Sequence, residues 1–508
     1  MNMSAWTVLG IDLVILLIIG VGAYSGKKIK TASDFLTGGG KVSSWIVCGS
    51  IMGALVSSQA TIGTAQLAFH YGLSAWWFTL GSGIGCLVLA LGYTKKMRKT
   101  GKVTEMEMIS EEYGSVAGSL CSLLCCTGIF LSVLAQVIAC SGLIMTLTPH
   151  LPLLIAVMAS IGLMIIYVIF GGTWGAGMGG VIKLLLLYLA SIVGLFYTLK
   201  TSNGISGLML NLQNQLLATG IGSVQAEIGL PTIESAADVS RRFLNLVARG
   251  PMEDIGSGLS LLLGVLSTHT YAQAVLSARS DKEGVKGALL SAFLIPPLGI
   301  AGILIGLFMR SHYVLQAEAE VLMAQGLELH NLPVLAETIQ VFPTFVMNHL
   351  NPFVAGIIIG TLLISVVAGG AGLSLGMATI LVKNVNKKIK KTNFTPQYEL
   401  IATRIMIAVI LVVAAMISLT TGDTVINDYG FLSMGLRGAV VFVPLTTAIY
   451  MEGRIKQKFI LASIVLSPLA VIVSEVMDTS IDSLFIGVFI SVVITALGYR
   501  RGERHMKP

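Results

Sequence analysis

Long runs of apolar residues, separated by short polar segments, cover most of the chain. A run of roughly 20 apolar residues is the length that a helix needs to cross the hydrocarbon core of a bilayer. Because a lipid-embedded backbone must satisfy its own hydrogen bonds, such runs form helices. The pattern predicts an all-α integral membrane protein with thirteen transmembrane helices, at about 7–25, 43–69, 75–95, 116–147, 152–171, 177–198, 254–277, 287–310, 352–382, 400–420, 427–450, 458–476 and 481–499.

The polar segments between these runs are unequal in charge. Most of the 32 lysines and arginines fall in alternate loops, at 27–41, 95–102, 279–286, 383–391, 454–458 and 500–507. Loops rich in lysine and arginine stay in the cytoplasm. We therefore expect a multi-pass protein of the cell (inner) membrane with its N-terminus outside and its C-terminus cytoplasmic. The first run then predicts an uncleaved helix rather than a signal peptide.

The composition excludes a soluble globular protein, since 55% of residues are hydrophobic, 11% are charged and the mean hydropathy is +0.86. The basic loops account for the net charge of +7 without nucleic acid. All six cysteines fall within predicted spans, without the spacing of disulfide or zinc sites, which indicates buried free thiols. Neither a nucleophile–base set nor a metal-ligand cluster is recognisable, so we expect no enzyme activity, no metal and no cofactor.

Two predicted spans contain glycine-rich interruptions with interleaved hydroxyl residues. The second reads CGSIMGALVSSQATIGTAQ and the seventh reads DIGSGLSLLLGVLSTHTYAQ. Interrupted helices at corresponding positions of two halves indicate an inverted-repeat transporter whose site lies at the bilayer midplane. Close packing between helices is the alternative explanation for these glycines.

Four segments resemble motifs of one transporter family, in the order in which the family has them. They are TASDFLTGGGKVSSW at 31–45, KKMRKTGKVTEMEMISEEYG at 95–114, YVIFGGTWGAGMGGVIK at 167–183 and YAQAVLSARSDKEGVKGALLSA at 271–292. Their order is more specific than any one of them. The chain resembles the sodium:solute symporter family, whose members transport proline, sialic acid, pantothenate, urea and glucose.

The resemblance implies a core of ten helices in two inverted five-helix repeats, with one extra helix before the core and two after it. The predicted units are 1–42 for the extra N-terminal helix and a cytoplasmic loop, 43–198 for the first repeat, 199–253 for an extracellular loop, 254–450 for the second repeat, and 451–508 for two C-terminal helices and a basic tail. Lys183 then lies on core helix 5.

The sodium site that the resemblance implies is depleted in this chain. In sodium-coupled members, carbonyls of core helix 1 and a hydroxyl pair of core helix 8 hold the ion; the carbonyl positions fall on Gly53 and Val56. The hydroxyl pair falls on Ala368 and Gly369, and Ser365 contributes only a carbonyl. A third serine position becomes Gly372, and an acidic position of core helix 5 becomes Gly180. Because a hard cation needs several oxygen ligands, these losses predict weak or absent sodium binding.

Lys183 is the unusual cation of this region. A lysine inside a membrane is unfavourable by roughly 2.5 to 3.5 kcal/mol, so it needs a partner, an escape route or a function. We hypothesise that its ammonium replaces the sodium ion, filling the space that the missing side chains leave. A lysine held away from water can also exchange a proton in each cycle, which would make transport proton-linked. The alternatives are snorkelling to the nearer interface and a role in helix packing.

The predicted substrate residues line the same core. Arg437 lies near the middle of core helix 10, and guanidinium is well shaped to bind a carboxylate; bonding to carbonyls of a broken helix is the alternative. His269 is a further candidate, with either a substrate role or a packing role. The other candidates are polar residues of core helices 1 and 3, namely Ser57, Ser58, Gln59 and Gln136. The polar positions of sugar-transporting members fall on Ala60, Leu261 and Val265, which disfavours a sugar.

The sequence therefore predicts a secondary-active transporter that moves a small, carboxylate-bearing solute by alternating access. Sodium coupling is expected to be weakened or absent, leaving proton-linked or facilitated transport. A conventional sodium symporter is the first alternative. A non-transporting membrane sensor on the same scaffold is the second, disfavoured because no appended signalling domain is recognisable. The expected partners are the solute and the lipid bilayer, with no nucleic acid.

Overall fold

The structure is a computed structural model of the 508-residue chain. It describes residues 4–26, 42–102, 104–148, 150–171, 174–326, 332–389, 396–421, 425–477, 479 and 481–500. The predicted basic segments at 27–41 and 501–508, and with them most of the first family-like motif, lie outside these described residues.

Helices make up nearly all of the described chain. In the first half they are α1 (Ala5–Gly26), α2 (Ser44–Leu55), α3 (Thr64–Tyr71), α4 (Trp77–Val88), α5 (Thr94–Lys99), α6 (Glu105–Tyr113), α7 (Ser115–Leu147), α8 (Leu153–Gly171), α9 (Trp174–Thr201) and α10 (Gly204–Ala218). In the second half they are α11 (Ala236–Phe243), α12 (Pro251–Leu266), α13 (His269–Leu276), α14 (Asp281–Arg310), α15 (Gln316–Ala324), α16 (Val341–His349), α17 (Pro352–Ile389), α18 (Pro396–Ser418), α19 (Ile426–Tyr450), α20 (Gln457–Val476) and α21 (Ser483–Leu497).

The long helices coincide with the apolar runs of the sequence. Among the described residues, eight helices are long and apolar enough to cross a membrane, or up to nine if the bent pair α12 and α13 forms one span. Shorter apolar helices occupy the remaining predicted spans, at Ala5–Leu17, Ser44–Leu55, Leu153–Tyr167 and Ser483–Leu497. The multi-pass helical architecture is therefore confirmed, while the count of thirteen stays a prediction.

Helices α7 and α19 form the centre of the bundle. They pack against each other, α7 also contacts α17, and α19 also contacts α12. Of the most apolar stretch of each helix, 67% is buried in α7 and 72% in α19, compared with 28% in α9. The six cysteines are buried free thiols, as predicted, and four of them lie on α7. Polar residues on the inner faces of α7 and α19 are thus shielded from lipid.

The basic loops meet on one side of the bundle, which we call the basic face. It is defined by contacts within two pairs of these loops: Arg98 Nε donates to Asp281 Oδ1 at 2.8 Å, and the amide of Arg500 donates to the carbonyl of Arg454 at 2.8 Å. Helix α6 lies there too, since the amide of Gly453 donates to Glu112 Oε1 at 2.6 Å. The sequence predicts this face to be cytoplasmic.

A buried ion pair lies at the face opposite the basic face. Arg310 ends α14, and its NH1 and NH2 groups donate to the two carboxylate oxygens of Glu318 on α15 at 2.8 and 2.6 Å. The two side chains are 1% and 0% exposed. Glu318 also accepts a hydrogen bond from Gln225 Nε2 at 2.5 Å, which joins the preceding loop to the pair. Burial alone would raise the pKa of Glu318, but the Arg310 guanidinium holds it below its usual range.

Replacing Glu318 with alanine should destabilise the protein by about 3 to 5 kcal/mol, because it leaves the Arg310 guanidinium buried without its counter-ion. The measurement is the thermal unfolding midpoint of purified protein in detergent. The matched control is Glu320→Ala on the same helix, at an exposed position, which should leave the midpoint within error. Since the pKa of Glu318 is lowered, the stabilisation is present near neutral pH and lost on acidification. Equal midpoints for the two variants would contradict this assignment.

Candidate transport site

The two glycine-rich spans are broken in the structure, as the sequence predicts. Helix α2 ends at Leu55, and a π-helical turn at Gln59–Gly63 connects it to α3. Helices α12 and α13 are bent by 47° around Ser267 and Thr268. Each break leaves backbone groups without their helical partners inside the bundle. These groups become available to side chains, ions or a solute.

The break in α2 frees one carbonyl in particular. In a continuous helix the amide of Ser57 would donate to the carbonyl of Gly53. Here it donates instead to the carbonyl of Leu55 at 3.1 Å. The Gly53 oxygen is thus available to a donor from another helix.

Lys183 on α9 supplies that donor. Its Nζ lies 2.9 Å from the Gly53 carbonyl oxygen and 3.5 Å from the carbonyl oxygen of Ser365 on α17, and the residue is 4% exposed. Helices α9 and α2 approach closely because both have glycine at the contact: a Cβ on Gly180 would lie 2.6 Å from the Gly49 carbonyl oxygen. The hypothesis that the ammonium replaces sodium requires these contacts. Snorkelling would instead require an exposed amine, and this residue is buried.

The structure brings together several residues predicted for the ion site. Ser365 is fully buried, and its hydroxyl lies 3.5 Å from the carbonyl oxygen of Val56 beside the break. Ala368 is partly exposed. A Cβ on Gly369 would lie 3.3 Å from both Gln136 and Ser57, while a Cβ on Gly372 would meet no described atom within 4 Å. On α17, the Ser365 carbonyl therefore lies near Lys183 and the Ser365 hydroxyl lies near Val56. Ala368, Gly369 and Gly372 supply no side-chain oxygen.

Three of the predicted substrate residues form one hydrogen-bonded group. Ser58 Oγ donates to Gln136 Oε1 at 2.9 Å, and Gln136 Nε2 donates to Ser57 Oγ at 2.9 Å. All three are buried. Gln136 on α7 therefore spans the break in the first core helix, and the missing side chain at Gly369 gives it room.

Gln59 is buried next to this group, with an amide that is not satisfied. The residue is 4% exposed, and its Nε2 has no hydrogen-bond partner among the described residues. The amide packs closely against Gly430 on α19, where a Cβ would lie only 2.8 Å from Nε2. A buried donor without a partner is unfavourable and marks a position where a ligand can bind.

Arg437 is buried on α19 and held by hydroxyl groups. Its Nε donates to the Ser433 carbonyl at 3.1 Å and its NH1 to Thr268 Oγ1 at 3.0 Å. Its NH2 donates to Ser132 Oγ at 3.1 Å and to Ser433 Oγ at 2.7 Å. The residue is 1% exposed and has no ion-pair partner within the described part of the chain. The guanidinium thus joins α7, α19 and the break before α13 without being neutralised.

His269, predicted to have either a substrate role or a packing role, begins α13 and is only partly buried. Its neighbour Thr268 makes the contact with the guanidinium instead. Sequence reasoning did not identify Ser132 and Ser433, because a serine in an apolar helix gives no signal until its facing helix is known. It also missed Asn427, which is fully buried at the start of α19 with both side-chain polar atoms unpaired among the described residues.

Sequence reasoning also missed a group of charged residues near the face opposite the basic face. Arg249 Nε donates to Asp254 Oδ1 at 2.8 Å, and its guanidinium lies 5.2 Å from the ring centroid of Phe431. Phe431 in turn packs against Phe78, with ring centroids 5.8 Å apart. The cluster of charges at 249–254 was the available sequence signal. This group of residues joins the start of α12 to the outer half of α19.

Comparisons with known proteins agree with this architecture. The model of the sodium:solute symporter family matches residues 35–466. The sodium/glucose cotransporter of Vibrio parahaemolyticus is 21% identical over 387 residues, which are 73% of this chain and 67% of that protein. The uncharacterized symporter YwcA of Bacillus subtilis (strain 168) is 26% identical over 259 residues, so the match spans about half of each protein, 46% of this chain and 49% of that one.

Solved structures show the same fold. A substrate-bound, outward-open state of a Na⁺-coupled sialic acid symporter superposes with a TM-score of 0.70 at 17% identity, covering 98% of this chain and 97% of that one. The nucleobase-cation-symport-1 transporter Mhp1, in a closed conformation, superposes with a TM-score of 0.51 at 12% identity and covers 92% and 94%. Because the family model covers most of the chain, the chain belongs to the sodium:solute symporter family, as a multi-pass membrane transporter rather than an enzyme.

Proposed function

We propose that this protein is a secondary transporter in which the ammonium of Lys183 occupies the place of the central sodium ion. It moves a small, carboxylate-bearing organic solute by alternating access across the cell membrane, with its N-terminus outside and its C-terminus cytoplasmic. The observation that carries the proposal is the contact of Lys183 Nζ with the Gly53 carbonyl, supported by the nearby Ser365 carbonyl.

The chemistry of this contact favours replacement over coexistence. An ammonium is a compact cation with three donors, so it can bond the same carbonyls that would coordinate a metal cation. A sodium ion placed between these carbonyls would lie next to the amine, and two like charges at that distance repel strongly in a low-dielectric interior. With Ala368 and Gly369 supplying no hydroxyls, a sodium ion would also lack ligands.

Lysine differs from sodium in that it cannot leave the protein. The transport cycle therefore needs another way to weaken the bond between α9 and α2, and releasing a proton from the amine is the simplest one. Proton loss removes the charge that holds Gly53 and Ser365 together, and rebinding restores it. If the amine keeps its proton throughout the cycle, transport is facilitated instead.

The solute class follows from the unbalanced charge around the predicted binding residues. Arg437 and Lys183 are both buried, and neither forms an ion pair with a described residue. An anionic group on the solute would balance this charge, and the unpaired amide of Gln59 offers a further donor. For Arg437, binding a carboxylate requires the solute to displace serine or threonine hydroxyls, which is favourable because a charged acceptor bonds guanidinium more strongly than a neutral one does.

The native protein should transport equally well in sodium and in choline buffers, since no cation site remains to be filled. Lys183→Ala should reduce uptake by more than about tenfold, because a charge-assisted hydrogen bond contributes about 1.5 to 3 kcal/mol. The matched control is Lys200→Ala at the exposed end of the same helix, which should retain uptake. The measurement is initial uptake into proteoliposomes. Steep sodium dependence of the native protein would end the replacement hypothesis and favour the conventional sodium symporter.

Sodium binding should be restored when the amine is removed and the two hydroxyls are supplied together. The variant Lys183→Ala combined with Ala368→Ser and Gly369→Ser should unfold at a higher temperature in sodium than in choline, because an ion that binds only the folded state stabilises it. The native protein and Lys183→Ala alone should show no such difference. Gly369→Ser alone is the steric control, since its Cβ presses on Gln136 and Ser57. A sodium-insensitive triple variant would contradict the proposed equivalence of amine and ion.

Arg437→Gln should weaken solute binding by roughly ten- to a hundredfold, and Arg437→Lys should weaken it less, because a point charge only partly replaces the planar fork. The solute comes from a thermal-shift screen of amino acids, organic acids and nucleobases, and its dissociation constant is then measured by calorimetry. Esterifying its carboxylate should lower affinity for the native protein but not for Arg437→Gln. An unchanged dissociation constant in Arg437→Gln would exclude Arg437 from the binding site.

A further inference from the structure

Glu105 is a buried carboxyl group that the proposed transport site does not use. It is the first residue of α6 on the basic face, and it is 0% exposed. Neither of its oxygens has a hydrogen-bond partner among the described residues. It is therefore different from Glu318 and Asp254, which are equally buried but bonded to arginines.

Glu105 is buried because it occupies the apolar side of α6. Ile109 and Tyr113 follow it at intervals of one helical turn, and both are buried, whereas Glu107 and Glu111 are exposed. The same face packs against α7 and α19. Tyr113 Oη donates to Thr447 Oγ1 of α19 at 2.8 Å. A position that normally holds an apolar residue thus holds an acid.

Among the described residues, no positive charge pairs with this acid. The titratable groups facing it from α7 are the thiols of Cys121 and Cys125, and on α19 the guanidinium of Arg437 lies beyond Cys125. The charged contacts of α6 itself are on its outer side: Glu111 pairs with Lys102, and Glu112 accepts from the Gly453 amide. Burial raises the pKa of Glu105 to about 8. An ionised carboxylate without a partner in this interface would be strongly unfavourable, which favours the protonated acid.

We propose that Glu105 is a proton-binding site, whose proton holds α6 against α7 and α19 and whose ionisation favours a conformation in which this interface is open to water. The O–H bond forms on the carboxylate when the interface closes, and the proton passes to water or buffer when it opens. Since α7 and α19 carry the serines that hold Arg437, the state of Glu105 reaches the transport site through these two helices. The site is independent of the Lys183 proposal and is tested without any solute.

The coupling between proton release and opening of the interface sets the size of the expected pH effect. In the open interface, Glu105 is hydrated and returns to an ordinary acidity, for which the reference value is about 4.3. Between that value and about 8, the opening equilibrium should increase by about tenfold per pH unit, because opening releases one proton. The closed interface is thus most stable at acidic pH and is progressively lost as the pH rises towards 8.

The first experiment measures hydrogen–deuterium exchange of purified native protein in detergent by mass spectrometry, between pH 6 and 8. After correction for the intrinsic pH dependence of exchange, protection of residues 105–113 should fall by about tenfold per unit, whereas α10 on the opposite face should not change. In Glu105→Gln, which keeps the shape but cannot ionise, protection should not depend on pH. Glu107→Gln, an exposed change on the same helix, should behave like the native protein. Protection of 105–113 that is independent of pH in the native protein would overturn the proposal.

The second experiment observes the proton itself. Infrared difference spectra of the native protein should show the C=O band of a protonated carboxylic acid that disappears with a midpoint near pH 8, and this band should be absent from Glu105→Gln. Persistence of the same band in Glu105→Gln would assign the proton to another group and refute the site. If Glu105→Gln fails to fold, the exchange measurement on native protein still decides the matter, since it needs no variant.

Discussion

The hydrogen bond from the Lys183 ammonium to the Gly53 carbonyl exists only because the first core helix is broken just after Gly53. In an unbroken helix, the amide of Ser57 would use that carbonyl; here the amide bonds to Leu55 instead. The freed oxygen then needs a donor, and a membrane interior offers no water to supply one. Glycine at positions 49 and 180 brings α2 and α9 close enough for the amine to reach it. The helix break, the close packing and the buried charge therefore depend on one another.

Charged residues in this protein divide into two groups with different physical consequences. Near the opposite face, Arg310 with Glu318 and Arg249 with Asp254 form buried ion pairs that join loops to helices. Deeper in the bundle, the bonds that Lys183 and Arg437 make to described residues all go to neutral oxygens. Bonds of the second kind are weaker than ion pairs, so they can be exchanged for other partners during a conformational cycle. This distribution places ion pairs near one face and cations bonded to neutral groups in the interior of the bundle.

Family membership and the departure from the family pattern are compatible. This chain shares its fold with a Na⁺-coupled sialic acid symporter at 17% identity, and its own two helix breaks lie in glycine-rich segments. Lys183, Ala368 and Gly369 are accommodated within that fold. The proposed replacement of the ion by the Lys183 ammonium therefore requires no change of fold.

The sequence by itself determined the features that depend on the bilayer. Helix positions follow from the length of the apolar runs, and the helix breaks follow from their glycines, because a membrane tolerates few other solutions. It also indicated that Lys183 needs a partner near Gly53 and Ser365, although only through resemblance to a family with a site there. The tertiary structure decided which neutral groups hold Arg437 and that Glu105 lies in an apolar interface with no partner among the described residues. Such pairings join residues far apart in the chain, and a serine, asparagine or glutamate has the same local pattern whether it faces water, a thiol or a guanidinium.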